Sequence, residues 1–200
     1  MKVQIIYCHP SKKSYTHEVL NQLKKVLKKE RIEFEISDLY EMNFQTDMDE
    51  AEYEREGFSK TELPISKDVK IEHIKIENAD CLIFLYPVGW SDCPAKLKGW
   101  FDRVYSVGYA YGHEKSSVTK KMKQVTIGLV ICTAGHPNEF LKEIGIAESM
   151  RNVMIDDRLG KRFLHKEMII LGGTIEKEKA RKIHLPIIES IGRKIKKYHP

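Results

Sequence analysis

Cysteine is scarce: Cys8, Cys81, Cys93 and Cys132 are the only four in 200 residues, and none is spaced as C-x-x-C. That spacing suggests neither a disulfide framework nor a zinc site, and reduced thiols are expected. No apolar run approaches the roughly 20 residues of a membrane-spanning helix, so no membrane insertion is expected. Met1 leads at once into Lys2-Val3-Gln4-Ile5-Ile6-Tyr7, a strand pattern rather than the apolar stretch of a signal peptide, which points to the cytoplasm. The signatures G-x-G-x-x-G and G-x-x-x-x-G-K-[ST] are missing as well, which argues against an ordinary Rossmann dehydrogenase and a P-loop nucleotidase. No Ser-His-Asp arrangement, H-E-x-x-H or carboxylate pair emerges, so hydrolysis has little support and no metal is expected. Charge of one sign is also limited: 34 Lys and Arg against 29 Asp and Glu leave a formal +5, unlike a strongly acidic electron carrier. The basic stretches Lys24-Lys25 with Lys28-Lys29, Lys120-Lys121 with Lys123, and Arg193-Lys194 with Lys196-Lys197 read as solvated faces. Without an interleaved aromatic and basic patch, nucleic acid is not an expected partner.

What remains is the composition of a folded globular chain, 42% hydrophobic and 32% charged, at a length that suits one domain over residues 1–200. Val3, Ile5, Ile6 and Tyr7 predict a first strand that stops at His9-Pro10-Ser11. Val19, Leu20, Leu23, Val26 and Leu27 then repeat at helical spacing from an N-cap near Thr16. Phe34 and Ile36 alternate with polar neighbours up to Asp38, the pattern of an edge strand. From Leu39 to about Ser66 the periodicity fails, and so long an excursion is expected to cover a site or an interface. Asp68 to Asn78 predicts a helix with Ile71, Ile74 and Ile76 on its buried side. Cys81 to Leu85 reads as a strand buried on both faces. After Pro94, Leu97, Trp100, Phe101, Val104 and Tyr105 give a helix a wide apolar stripe. Val125 to Cys132 is the next buried strand, Asn138 to about Leu159 a helical region, and Met168 to Leu171 the last strand. Ile183, Ile187, Ile188, Ile191 and Ile195 mark a final helix, with Pro186 as the place for a kink. Strands alternating with helices imply an α/β fold, an open parallel sheet covered on both faces. Such sheets bind ligands beyond the carboxyl ends of the strands, where the strand order reverses.

That rule selects three loops. The first offers His9, Ser11, Ser14, Tyr15 and Thr16 just before a helix N-terminus, where hydroxyls, backbone N–H groups and the helix dipole suit a phosphate; Ser and Thr also cap helices routinely, and His9 alone is equally well a turn residue. The second, Tyr86-Pro87-Val88-Gly89-Trp90-Ser91-Asp92-Cys93-Pro94, is stiff and aromatic. A flat heteroaromatic ring could lie against Trp90; alternatively Trp90 and Trp100 both fill the core, with Cys93 as packing. The third, Thr133-Ala134-Gly135-His136-Pro137, is small enough for a ligand to approach the backbone.

His9-Pro10 with Ser14-Tyr15-Thr16, Asp38-Leu39-Tyr40, the run YPVGWSDCPAKLKGWFDRVYSVGYAY from Tyr86 to Tyr111, Thr133-Ala134-Gly135 and Leu171-Gly172-Gly173 together resemble the flavodoxin-like NAD(P)H:quinone oxidoreductase family. Nearly the whole chain takes part. The resemblance implies a flavodoxin-like three-layer sandwich with strand order 2-1-3-4-5. It assigns the flavin phosphate to His9, Ser14, Tyr15 and Thr16, the backing of the ring to Pro87, Val88, Gly89 and Trp90, and the ring edge to Thr133, Ala134 and Gly135. It further implies hydride transfer from NAD(P)H through the flavin to a quinone or similar planar acceptor, and a homodimer, with Leu39 to Ser66 and Tyr105 to Tyr111 as interface candidates. Thr16 stands where FAD-binding members usually carry Asn, which favours FMN over the alternative FAD. Two departures stand out. Phe140 and Ala147 lie near the places where some relatives carry the tyrosine and histidine that stabilise reduced flavin, so either His136 and backbone N–H groups take that role or this branch reduces a different acceptor. Gly89 replaces a frequent aromatic, which would widen the pocket. The basic C-terminal helix motivates a second reading, a flavin-binding regulatory or ancillary subunit of a partner protein.

Overall fold

The computed structural model describes residues 1–112 and 121–198; the expectation for Lys120 lies outside the described residues. Five strands, β1 (Lys2–Tyr7), β2 (Glu33–Asp38), β3 (Cys81–Pro87), β4 (Val125–Thr133) and β5 (Phe163–Leu171), form one parallel sheet in the order β2-β1-β3-β4-β5. This is the expected order, with β2 at an edge. Side chains alternate across the strands and build two cores. Val3, Ile5, Ile83, Leu85 and Ile131 face α1 (Tyr15–Lys29) and α7 (Lys177–Lys197), whereas Ile6, Leu82, Phe84 and Val130 face α3 (Lys67–Asn78) and α4 (Ala95–Val104).

Several boundaries differ from expectation. Ser14, not Thr16, caps α1, because Thr16 is buried in the first turn. The excursion after Leu39 contains α2 (Glu50–Gly57). On α3 the buried residues are Val69, Glu72, His73 and Ile76, while Ile71 and Ile74 are exposed. The reason is tertiary: Glu72 accepts hydrogen bonds from Trp100 Nε1 at 2.9 Å, Ser37 Oγ at 2.9 Å and Lys75 Nζ at 2.8 Å, which makes burial of that polar face favourable. The region from Asn138 to Leu159 is broken into α5 (Asn138–Glu143), α6 (Ile146–Arg151) and a π-helical stretch (Asn152–Leu159), with Gly145 at φ 74° between the first two. β5 begins at Phe163, earlier than its continuous apolar run, because its first half is an edge with exposed residues. On α7, Ile183 is exposed and His184 is buried in its place, and the helix continues through Pro186.

The excursion is held to α4 by buried charge. Arg103 donates to Glu52 at 2.6 Å, Asp68 at 2.5 Å and the Gln45 carbonyl at 2.6 Å, with its guanidinium 5.3 Å from the Phe44 ring centroid. Gly99 permits the approach: a Cβ there would lie 2.5 Å from the Thr46 carbonyl oxygen.

Candidate functional site

The carboxyl ends of β1, β3 and β4 stand side by side, because Tyr7 pairs with Leu85 and Pro87 with Thr133. The three loops singled out in the sequence therefore share one edge of the sheet. The order reverses there between β1 and β3, the place where open α/β sheets bind ligands.

In the first loop, Ser14 Oγ accepts from the His17 N–H at 3.1 Å and caps α1. The N–H groups of Tyr15 and Thr16 have no partner within the helix, as at any helix start. Half-buried His9 accepts from the Ser11 N–H through Nδ1 at 2.9 Å, so a neutral ring carries its proton on Nε2. Burial lowers the His9 pKa, and the nearby His17 lowers it further. The side chains of Tyr15 and Thr16 turn inward. Tyr15 shares a 2.8 Å hydrogen bond with His184 Nδ1, and Thr16 Oγ1 shares one of 2.8 Å with Thr133 Oγ1. The Thr133 carbonyl in turn accepts from the Val88 N–H at 2.8 Å. One residue at the end of β4 thus ties the other two loops together.

In the second loop, Gly89 and Asp92 exchange backbone hydrogen bonds at 3.0 and 3.1 Å around Trp90 (φ 48°) and Ser91 (φ 66°). This is the tight turn in which both central residues are left-handed, a conformation disfavoured for side chains other than glycine. Trp90 is fully exposed; Trp100 alone fills the core. Arg158, from the π-helical stretch, donates to both Asp92 oxygens at 2.8 and 3.0 Å. Burial alone would raise the Asp92 pKa, but the Arg158 bonds and the Cys93 N–H hold it below the usual carboxylate value. Nothing in the sequence pattern marked Arg158, since its partner is 66 residues away. His184 was equally silent, hidden among the isoleucines of α7.

In the third loop, the Ala134 N–H donates to the Leu171 carbonyl at 3.0 Å, and the His136 carbonyl accepts from Gly173 at 2.8 Å. Gly172 allows this closeness, since a Cβ there would sit 2.7 Å from the His136 carbonyl oxygen. Gly135 is exposed, and a Cβ on it would meet only Ile175, at 3.6 Å. The exposed His136 and Phe140 rings lie 4.8 Å apart at the rim.

This edge fits a flat, phosphorylated heteroaromatic ring: helix-start N–H groups for the phosphate, an exposed indole, and open backbone at Gly89 and Gly135. It does not fit nucleophilic catalysis by thiol. Burial pushes both Cys8 and Cys93 up to about 12, so neither forms a thiolate near neutrality. Among the described residues no group of three or more His, Cys, Asp or Glu could hold a metal ion, and no helix is long and apolar enough to cross a membrane.

Sheet order and ligand edge together define a flavodoxin-like α/β protein. The family model for the flavodoxin-like fold matches residues 1–165, and the chain belongs to that family. An NAD(P)H:quinone oxidoreductase from Methanothermobacter marburgensis is 42% identical with a TM-score of 0.91, over 100% of this chain and 98% of its own. An uncharacterized NAD(P)H oxidoreductase of Haemophilus influenzae is 29% identical over 153 residues, 76% of this chain and 73% of that one. An FMN-dependent NADH-azoreductase from Bacillus anthracis, solved with FMN, shares the fold at 14% identity and a TM-score of 0.69, over 98% of this chain and 99% of its own.

Proposed function

We propose that this chain is a flavin-dependent NAD(P)H oxidoreductase that passes hydride from NAD(P)H through bound FMN to a quinone or similar planar acceptor. The observation that carries the reading is the shared edge of three loops in a chain that is 42% identical, over its whole length, to an NAD(P)H:quinone oxidoreductase. When bound, the flavin supplies the hydride-transfer chemistry. The protein's part is holding and electrostatics. The first N–H groups of α1, with Ser14 and His9 Nε2–H, hold the phosphate. Tyr15 and Thr16 serve through their backbone, since their hydroxyls are engaged elsewhere. Pro87, Val88, Gly89 and Trp90 back the ring, and Thr133, Ala134 and Gly135 meet its edge, with His136 beside it. No side chain is assigned as an obligatory acid or base. Thr16 also bears on cofactor choice: its hydroxyl bonds Thr133 and is not available to a diphosphate, which supports FMN over FAD.

The same reading has the protein work in the cytoplasm as a homodimer. A cleft of about 470 Å³, lined by Met48, Phe101, Tyr105, Tyr111 and Arg162 among others, borders both segments expected at the interface. Sedimentation at twice the 23.3 kDa chain mass is the expected outcome; a monomer at micromolar concentration removes the dimer.

The deciding experiment is the visible spectrum of protein incubated with FMN and desalted, followed by anaerobic NADH or NADPH. Retained flavin absorbance that bleaches on addition supports the reductase. Flavin that binds but does not bleach favours a regulatory subunit, and a colourless protein rules out both.

A further inference from the structure

We propose that Arg158 is a positioning residue, whose clamp on Asp92 locks the Trp90 turn into a preformed wall of the flavin site; the word flavin here rests on the function proposed above. The Trp90 side chain is fully exposed, so no packing aims the ring, and the backbone of the turn sets the direction in which it leaves the chain. That backbone is in a disfavoured state. Trp90 and Ser91 both have positive φ, at 48° and 66°, and such a turn persists only where its surroundings over-determine it.

Asp92, the last residue of the turn, provides that constraint. Its carboxylate accepts from the Cys93 N–H at 2.6 Å and from both terminal nitrogens of Arg158 at 2.8 and 3.0 Å. Arg158 is itself packed on several sides. It is buried, its guanidinium lies 5.3 Å from the Phe101 ring centroid, and Nη1 is 3.3 Å from Cys93 Sγ and 3.0 Å from Met154 Sδ. A planar fork gripping a carboxylate fixes orientation as well as distance, which a lysine ammonium does not. The guanidinium also emerges from a π-helical stretch (Asn152–Leu159), an irregularity frequent at functional sites. Nothing in the proposed chemistry needs a proton or charge from Arg158. Its role is to hold the turn.

Tryptophan anisotropy decay reads this directly. Trp90 and Trp100 are the only two tryptophans, and Trp100 is fully buried, so fast local rotation belongs to Trp90. In the apoprotein, Asp92→Asn and Arg158→Met are each expected to raise the fast component about twofold and, in the loaded protein, to weaken FMN binding about tenfold. The double variant should be no worse than either single one, because both act through one interaction. Arg158→Lys, which keeps charge without the fork, takes the place of Arg158→Met if the latter does not fold. Unchanged Trp90 rotation in Asp92→Asn, or single effects that add in full, overturns the proposal. Wild-type protein that retains no FMN removes the flavin reading alone, and the rotation data still decide the clamp.

Discussion

Thr133 shows how much of the candidate site hangs on single polar contacts. Its hydroxyl meets Thr16 at 2.8 Å and its carbonyl meets the Val88 N–H at 2.8 Å, and Thr16 and Thr133 are both buried. Thr16→Val keeps the shape and strands one hydroxyl away from water. A loss of about 1–3 kcal/mol follows, read from denaturant unfolding, together with weaker FMN retention because the first loop loses its tie to β4. A Thr16→Val protein with wild-type stability would remove Thr133 as the hub. These residues were visible in the sequence as small polar groups beside strand ends. Their pairing was not, since 117 residues separate them. The same holds for Tyr15, named there for a phosphate and found with its hydroxyl on His184.

Among elements, the excursion after β2 and the helix α4 meet at closest range. A Cβ on Gly99 would lie 2.5 Å from the Thr46 carbonyl oxygen, and backbone cannot swing aside as a flexible side chain can. Gly99→Ala is therefore expected to destabilise the protein by about 1–3 kcal/mol and to speed hydrogen exchange in residues 39–66 first. Gly89→Ala is the contrast, since nothing lies within 4 Å of the added Cβ; its melting temperature should stay near that of wild type. Equal losses in the two variants would mean that close approach is not what Gly99 provides. Apolar spacing located α1 and α4 well because they bury the hydrophobic stripe that it reports. It misplaced the inner face of α3, where Glu72 and His73 are buried by partners on β2 and α4. It also ran α5, α6 and the π-helical stretch together, since the left-handed break at Gly145 leaves no gap in the apolar pattern.

For the whole molecule, pH sums the buried charges. Burial holds His9, His73 and His184 below their ordinary 6.5. A histidine kept neutral by the fold contributes its stability in full above the unfolded value and loses it as pH falls below about 6.5. Arg103 and Arg158 outweigh burial to hold Glu52, Asp68 and Asp92 below their ordinary values. Those contributions are present above about 4.5 and are lost as pH falls through the carboxylate range. The apoprotein should therefore lose melting temperature in two stages on acidification. His184→Gln should flatten the first of them; an unchanged slope between pH 7.5 and 5.5 would take His184 out of this account. The alternation of strands and helices, the parallel sheet and the edge that carries the loops were all determined by the sequence, because hydrophobic period and crossover handedness are local or near-local properties. What only the tertiary structure decided is which polar residues are buried and which side chains face the site. Trp90 is exposed while Trp100 is buried, and Asp92 is gripped by Arg158, because burial of a polar or charged group depends on a partner brought from elsewhere in the chain.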